Sequence, residues 1–402
     1  MGLKVLFHFR IGRPVLLTEI LWEVLITLLL LTGSSCGKRN ESGKPIFEEA
    51  IADQAAVTIE YAKRFQVSRM NGYTVVEVNT PFPGSRNLYR YILKNPANPH
   101  PLPDLANAQI IPVPVRSLVC YSTSHLPALE MLHEEDKLTG FPDPDYIYSP
   151  VLRKRVQAGK IKNLGPSNDI NLENLISLNP GLVMAFSIGN DLARIEKING
   201  AGIPVVINAD YMENTPLGRA EWLKFTALFF GKTREADSIF NSIRDHYNEI
   251  KMKVAHAGYQ PVVLTGIVYG DAWFLPGGRN YASAFLRDAG ASYPWASDTS
   301  EGNLQVSFEA VYEKASNADV WIGTSTYESR EALKNADARY AQFRPFKNDH
   351  IYNYSAKVSP QGGNDYFETG YSRPDWVLLD LACIFHPEII HDHALYFYRK
   401  IN

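Results

Sequence analysis

The sequence is poor in cysteine and carries almost no net charge. Its 402 residues contain 3 cysteines, and the 40 Lys and Arg nearly balance the 43 Asp and Glu, which leaves a formal net charge of -3. Because the opposite charges nearly cancel, the protein has no strong electrostatic field that would attract a nucleic-acid backbone. We therefore exclude nucleic acid as a partner. The spacing of Cys36, Cys120 and Cys383 suggests no metal site, and we expect the last two to be buried free thiols.

Signature motifs of common enzymes are also missing. The sequence has no Gly-x-Ser-x-Gly elbow and no His-Glu-x-x-His zinc helix, and Gly277-Gly278 before Arg279 is too short for a phosphate-binding loop. We therefore expect no catalysis, no cofactor and no protein-bound metal. A hydrolase that uses Ser124 with His125, or Ser122 with a distant histidine, is the alternative.

The apolar run near the N-terminus is too short to span a bilayer as a stable helix. Basic residues precede the run Val24 to Leu31, and small residues then lead to Cys36. This order predicts an export signal over residues 1–36, with Cys36 lipidated as in the bacterial lipobox. A plain cleaved signal is the alternative. Residues 37–56 are polar and acidic, which predicts a tether.

The rest of the chain predicts an α/β protein with a β-rich beginning. Alternating residues over 73–78 and 89–93 predict strands of an antiparallel preamble that covers residues 57–115. Short buried strands then alternate with helices, which is typical of parallel α/β sheets. This pattern predicts an N-terminal lobe over 116–232 and a C-terminal lobe over 259–402, both Rossmann-like.

One long helix is predicted between the two lobes, over residues 233–258. Thr233 is a plausible N-cap and Gly258 a plausible stop. Apolar residues recur between them at three- and four-residue spacing, and they form one stripe: Ala236, Ile239, Phe240, Ile243, Tyr247, Ile250 and Val254. A stiff helix in this position allows a small hinge bend and resists wide opening.

Several short sequence segments in both lobes resemble those of the ABC-importer binding proteins that serve ferric siderophores, haem and cobalamin. In chain order, these segments are Ser122-Thr123-Ser124-His125, Asp136 to Gly140, Leu172 to Val183, Trp273 to Tyr281, Asp288 to Ala291, Ser307-Phe308-Glu309, and Arg373 to Glu388. The resemblance implies a monomeric periplasmic lipoprotein, anchored to the membrane through its N-terminal lipid. Such a protein would capture a metal-chelate ligand between its lobes and deliver it to an ABC-transporter permease. A surface protein that scavenges ligand without a permease is a further alternative.

Ligand-binding residues are expected in the loops that follow the strands, because ligands of parallel sheets sit outside the carboxyl ends of the strands. The predicted ligand-binding residues are Ser122, Thr123, Ser124, His125, Tyr146, Tyr148, Phe186, Ser187, Trp273, Phe274, Arg279, Tyr281 and Tyr327. The loop 357–364 is expected as an outer wall. Many aromatic rings and only scattered cations favour a cobalamin-like or haem-like ligand over a catecholate siderophore.

Several of these residues have a structural alternative. Trp273 could fill the core of its lobe, and Phe186 is as consistent with core as with pocket. His125 could cap or pack at the start of a helix, and Arg279 could pair with Asp271.

Two glutamates stand on the first turns of helices in different lobes. The resemblance implies that Glu173 and Glu309 dock into the permease, where charge pairs set register and association rate. The alternative is that each carboxylate only suits the helix dipole, which contributes about 0.3–1 kcal/mol.

Overall fold

The computed structural model describes residues 57–167, 169–189, 192–325 and 327–402. The predicted export signal, the lipidation site Cys36 and the tether lie outside these residues. The helices, in chain order, are α1 Leu126–Met131, α2 Pro150–Gln157, α3 Leu172–Leu178, α4 Leu192–Gly200, α5 Pro216–Ala220, α6 Trp222–Leu228, α7 Thr233–Val254, α8 Tyr281–Asp288, α9 Phe308–Ala315, α10 Arg330–Ala336, α11 Arg344–Lys347, α12 Thr369–Ser372 and α13 Pro374–Phe385.

The preamble forms a four-stranded sheet. Its strands are β1 Phe65–Met70, β2 Tyr73–Asn79, β3 Leu88–Lys94 and β4 Ala108–Pro112, and they lie in that order. The first three pair antiparallel, as predicted, but β4 runs parallel to β3. The sheet is therefore mixed, because the long proline-containing connection between β3 and β4 carries the chain back to the start of the sheet before it pairs again.

The N-terminal lobe, lobe 1, contains a parallel five-stranded sheet. Its strands are β5 Leu118–Cys120, β6 Leu138–Phe141, β7 Lys162–Asn163, β8 Leu182–Ala185 and β9 Val205–Ile207. The spatial order is β7-β6-β5-β8-β9, with every pair parallel. The strand order reverses between β5 and β8, and a crevice forms at such a point, beyond the carboxyl ends of the strands.

The C-terminal lobe, lobe 2, contains two smaller sheets. The first has the order β10-β14-β15-β16, with β10 Val263–Thr265, β14 Val320–Ile322, β15 Ile351–Asn353 and β16 Arg399–Lys400. The pairs β10–β14 and β14–β15 are parallel, and β16 joins antiparallel. The second is an antiparallel sheet of β11 Ile267–Tyr269, β12 Ala272–Pro276 and β13 Asn303–Val306. Both lobes are therefore α/β, as the sequence predicts.

The helix between the lobes is continuous over Thr233–Val254, 22 residues and about 33 Å long. Its buried positions follow the predicted stripe, apart from Ile239, which is half-buried. The ends differ from the prediction: Lys232 is the N-cap and Thr233 the first helical residue, and the helix ends four residues before Gly258. Among the residues described, no helix is long and apolar enough to cross a membrane.

An irregular segment joins the preamble to this junction. We name residues 58–64 the N-terminal strap. The backbone N–H groups of its residues 60–64 have no ladder partners, and two buried carboxylates accept them instead. The Glu221 carboxylate accepts from Glu60, Tyr61 and Ala62 at 2.7–3.1 Å, and the Glu213 carboxylate accepts from Lys63 and Arg64 at 2.9–3.0 Å. The strap is thus held against the chain that leads into α7.

Candidate functional site

A cavity of about 500 Å³ lies between the two lobes. Its size falls within the range of small-molecule sites. Lobe 1 supplies two of the residues that line it and lobe 2 supplies the rest, and together they are Thr123, Tyr146, Ser325, Glu328, Tyr354, Ser355, Val358, Gly362, Gly363, Asn364 and Phe367.

The strand ends of both lobes position this cavity. Thr123 follows β5 and Tyr146 follows β6 in lobe 1, while Ser325 follows β14 and Tyr354 follows β15 in lobe 2. Each of these strands is parallel to a neighbour, so their carboxyl ends share one edge of each sheet. The cavity therefore lies where a ligand of parallel sheets is expected.

Glycines allow the two lobes to approach closely beside the cavity. A Cβ on Gly363 of lobe 2 would lie 2.6 Å from the Tyr146 carbonyl oxygen of lobe 1. Gly362 has φ of +93°, a conformation that side chains rarely adopt, and it faces the Tyr146 ring. The loop 357–364 can therefore serve as a wall against Tyr146 only with small residues at these two positions.

Aromatic faces dominate the lobe 2 wall. Tyr354 stacks on Tyr366 with ring centroids 4.8 Å apart, and it meets Phe367 edge to face at 5.3 Å. Tyr146 faces them from lobe 1 with 54% of its surface exposed. Rings held by other rings offer a flat ligand a contact area that loses little rotamer entropy on binding.

The cavity carries little net charge. Among the described residues that line it, only Glu328 is a charged side chain, and Arg399 lies 3.3 Å from its carboxylate. Arg399 also donates from Nε to the Ser355 hydroxyl at 2.9 Å. The Glu328 charge is thus partly neutralised, and the remaining polar groups are hydroxyls, an amide and backbone. Over the described ranges, no three His, Cys, Asp or Glu side chains form a group that could hold a metal ion.

Two of the predicted ligand-binding residues, Thr123 and Tyr146, line this cavity. His125 and Tyr281 instead belong to a buried polar cluster around Arg219. The Arg219 guanidinium lies 3.4 Å from the Tyr371 ring centroid and 5.2 Å from that of Tyr281. His125 is 1% exposed. Burial lowers its pKa, the Arg219 charge acts in the same direction and Asp210 opposes both, so its imidazole favours the neutral form.

Trp273 is a core residue and not a pocket residue. Its side chain is 0% exposed, it stacks on Trp321 at 5.6 Å, and Nε1 donates to the Thr265 carbonyl at 2.8 Å. The prediction of a pocket role is therefore wrong, because β12 lies in the middle of its antiparallel sheet and directs this side chain into the lobe. Phe274, the next residue, points to the opposite face and meets Tyr269 edge to face.

The serines that follow β5 bond to each other. The Ser122 and Ser124 hydroxyls lie 2.9 Å apart, and Ser122 accepts from the Ser124 N–H as the cap of a short 3₁₀ turn. Among the described residues, neither ring nitrogen of His125 is hydrogen-bonded to a serine hydroxyl. This arrangement therefore lacks the hydrogen bond that joins a serine nucleophile to its base.

The remaining predicted residues do not line the cavity. Phe186 packs edge to face on Tyr211, whose hydroxyl donates to the buried Ser187 at its carbonyl. Arg279 is exposed on the turn after β12, and Tyr327 lies next to Glu328 with its side chain packed on the lobe 2 core. Tyr148 uses its backbone: its N–H donates to the Glu368 carboxylate at 2.8 Å.

Sequence reasoning missed most of the lobe 2 wall. Tyr354 and Phe367 supply its main rings, and Ser325, Glu328 and Ser355 supply its polar groups. Tyr354 follows directly after β15, so the rule that found Thr123 would have found it. The short strand Ile351–Asn353 gave no distinct sequence pattern, and the residues directly after it therefore went unassigned. The predicted wall 357–364 does supply four lining residues, Val358, Gly362, Gly363 and Asn364.

The two predicted docking glutamates occupy equivalent positions in the two lobes. Glu173 is the second residue of α3, whose cap Asn171 accepts from the Asn174 N–H. Glu309 is the second residue of α9, capped in the same way by Ser307. Both carboxylates are exposed, and the Arg339 guanidinium lies 4.0 Å from that of Glu309.

Comparisons with known proteins assign the chain to a family. Residues 118–358 match the family model described as periplasmic binding protein, and the chain belongs to this family. An uncharacterized lipoprotein of Methanocaldococcus jannaschii is 26% identical over 328 residues, which cover 78% of this chain and 76% of the relative. A second uncharacterized lipoprotein of that organism is 28% identical over 314 residues, covering 75% of this chain and 77% of the relative.

Solved structures share the fold. The periplasmic haem-binding protein RhuT of Roseiflexus has a TM-score of 0.52 at 16% identity, covering 68% of this chain and 98% of its own. CeuE of Helicobacter pylori, solved with Ni(II) bound, has a TM-score of 0.53 at 20% identity, covering 71% of this chain and 88% of its own. The two-lobe fold is thus that of periplasmic binding proteins.

Proposed function

We propose that this protein is a membrane-anchored binding lipoprotein that captures a metal-chelate ligand in its interlobe cavity and delivers it to an ABC-transporter permease. The observation that carries the proposal is the cavity itself, which both lobes line at the carboxyl ends of their strands. Family membership and the lipoprotein names of two relatives support it. Lipidation of Cys36 would supply the anchor.

The cavity chemistry favours a cobalamin-like or haem-like ligand over a catecholate siderophore. A ferric catecholate carries high negative charge and calls for several Arg or Lys. The described cavity wall offers Tyr146, Tyr354 and Phe367 as flat faces, and Arg399 is already paired with Glu328. A planar macrocycle with a few polar substituents fits such a wall.

Ligand retention tests this proposal. The mature chain is incubated with cyanocobalamin, haem or a ferric catecholate, freed of excess ligand, and examined by visible absorption and native mass spectrometry. We expect one equivalent of cobalamin or haem at micromolar affinity or tighter. Tyr354→Ala should weaken binding about tenfold, since an aromatic contact contributes roughly 1 kcal/mol beyond area burial. The control Tyr259→Ala, an exposed ring outside the cavity, should bind normally.

Two outcomes would contradict the proposal. One is retention of none of these ligands. The other is hydrolysis of a generic ester that is lost in Ser124→Ala, which would favour the hydrolase alternative.

Charge reversal tests the permease contact. Glu173→Lys combined with Glu309→Lys should abolish uptake by cells while ligand binding to the isolated protein persists, because the two carboxylates lie on exposed helix starts. Glu196→Lys, on α4, is the matched control and should transport normally. Normal uptake by the double variant would favour a scavenger that acts without a permease.

A further inference from the structure

A single buried carboxylate joins the two walls of the cavity. Glu368 follows the wall residue Phe367 in lobe 2 and is 1% exposed. Its Oε2 accepts from the Tyr148 N–H at 2.8 Å, and its Oε1 accepts from the Ser149 N–H at 2.9 Å. Both N–H groups belong to lobe 1, two and three residues beyond the opposite wall residue Tyr146.

We propose that Glu368 is a positioning residue that holds the interlobe cavity closed, through a contact that must break before the lobes can separate. We name this contact, Glu368 with the N–H groups of Tyr148 and Ser149, the cleft clamp. The inference rests on the proposed function in one respect: the cavity closes in order to retain a captured ligand.

The local structure leaves these N–H groups dependent on Glu368. Ser149 is the N-cap of α2, and its side chain already accepts from the Leu152 N–H at 3.2 Å. The N–H groups of Tyr148 and Ser149 precede the helix, so no carbonyl of a preceding turn accepts them. When the lobes separate, both N–H groups and the carboxylate need water as a replacement partner.

The surroundings of Glu368 make the clamp sensitive to protons. Burial raises the pKa of Glu368 from 4.5 to about 8, its two N–H partners act against this, and the charges of Asp365 and Glu130 add to it. Glu130 comes from α1 of lobe 1, and burial raises its pKa as well. Asp365 has its pKa raised by burial and lowered less by neighbours that include Lys357.

The sign of the pH dependence follows from this shift. In the closed cavity Glu368 binds its proton more tightly than it would in open, hydrated lobes, where the pKa returns toward 4.5. The stabilisation of the closed state that comes from this group is therefore complete below pH 4.5. It is lost as the pH rises through about 8. Raised pKa values of Glu130 and Asp365 act in the same direction.

Hydrogen exchange of the Tyr148 and Ser149 amides measures the clamp directly, without any ligand. In the mature chain Glu368→Gln should lower the protection of these amides at least about tenfold, because the amide nitrogen of Gln cannot accept and one N–H loses its partner. Asp380→Asn is the matched control. Asp380 is a buried carboxylate of lobe 2, and its partners among the described residues all belong to that lobe. It accepts from the N–H groups of residues 396–398, and His393 Nε2 lies 2.6 Å from its Oδ1.

The control separates the clamp from general loosening. Asp380→Asn should speed exchange at residues 396–398 and leave Tyr148 and Ser149 protected. Unchanged protection in Glu368→Gln, or an equal loss at Tyr148 in Asp380→Asn, would overturn the proposal.

The pH profile gives a readout that a merely structural contact would not change. After correction for the intrinsic exchange rate, protection of Tyr148 should fall at least about tenfold between pH 6 and pH 9 in the natural protein. It should fall much less in Glu368→Gln, where only Glu130 and Asp365 still contribute. Equal slopes in the two proteins would overturn the proton linkage. Because the measurement uses no ligand, its failure leaves the proposed function standing, and failure of every ligand to bind leaves the clamp standing.

Discussion

Two sets of buried carboxylates hold distant chain segments by the same kind of bond, but with different support. Glu213 and Glu221 accept five successive backbone N–H groups of the N-terminal strap, and we name this contact the strap clamp. Glu368 accepts two N–H groups across the cavity. The first contact lies where the chain enters α7, and the second lies beside the ligand cavity.

The strap clamp has a buried cation and the cleft clamp has buried acids. Lys224, only 2% exposed, lies 3.1 Å from the Glu221 carboxylate and donates to the Thr58 carbonyl at 2.8 Å. The acidic neighbours of Glu368, Asp365 and Glu130, instead oppose its charge. A buried carboxylate that is paired with a cation holds its chain segment permanently. A buried carboxylate that binds a proton near neutral pH makes a contact that can be released. The strap should thus stay fixed to lobe 1 while the two lobes separate at the cavity.

The largest effect is expected from Glu221→Ala. The substitution leaves Lys224 with only the half-exposed Asp237 as a charged partner and three strap N–H groups without an acceptor, so we expect a loss of about 3 kcal/mol in the free energy of unfolding. Urea denaturation followed by circular dichroism measures it. Glu235→Ala, a half-exposed carboxylate on the first turn of α7, should change stability by less than about 0.5 kcal/mol. A loss below about 1 kcal/mol for Glu221→Ala would remove the distinction between the two clamps.

A smaller effect is expected from Glu213→Gln. The new amide group faces the Lys63 N–H, and we expect a loss of about 1 kcal/mol at pH 5. Burial raises the pKa of Glu213 despite the N–H groups that it accepts, so its contribution to stability is complete below its ordinary pKa of 4.5 and is lost as the pH rises through the raised pKa. The loss caused by the substitution should therefore be smaller at pH 7 than at pH 5. Denaturation at both pH values checks this, and a larger loss at pH 7 would mean that the carboxylate is paired as strongly as Glu221.

Local patterns predicted the elements of the fold well. The apolar stripe of α7 was visible because the helical period repeats over 22 residues. The strands β2 and β3 were visible because polar and apolar residues alternate along them. The parallel pairing of β4 was not, since strand direction depends on where a long connection returns.

The candidate site was predicted less completely. Thr123 and Tyr146 follow strands with clear apolar patterns, and they line the cavity. Trp273 was misassigned because the local sequence Trp-Phe-Leu-Pro-Gly is equally consistent with a core residue and with a pocket residue. Only the packing against Trp321 decides between the two. Tyr354 and Phe367 follow a strand too short to leave a pattern.

The sequence by itself determined the two α/β lobes, the helix between them and the family, because periodicity and short sequence motifs are properties of neighbouring residues. Only the tertiary structure decided which carboxylates hold the molecule together. Glu368 meets the N–H of Tyr148 across 220 positions of the chain, and Glu221 meets that of Tyr61 across 160. No local pattern marks such a residue, since a glutamate destined for a buried backbone contact has the same neighbours in sequence as one destined for solvent.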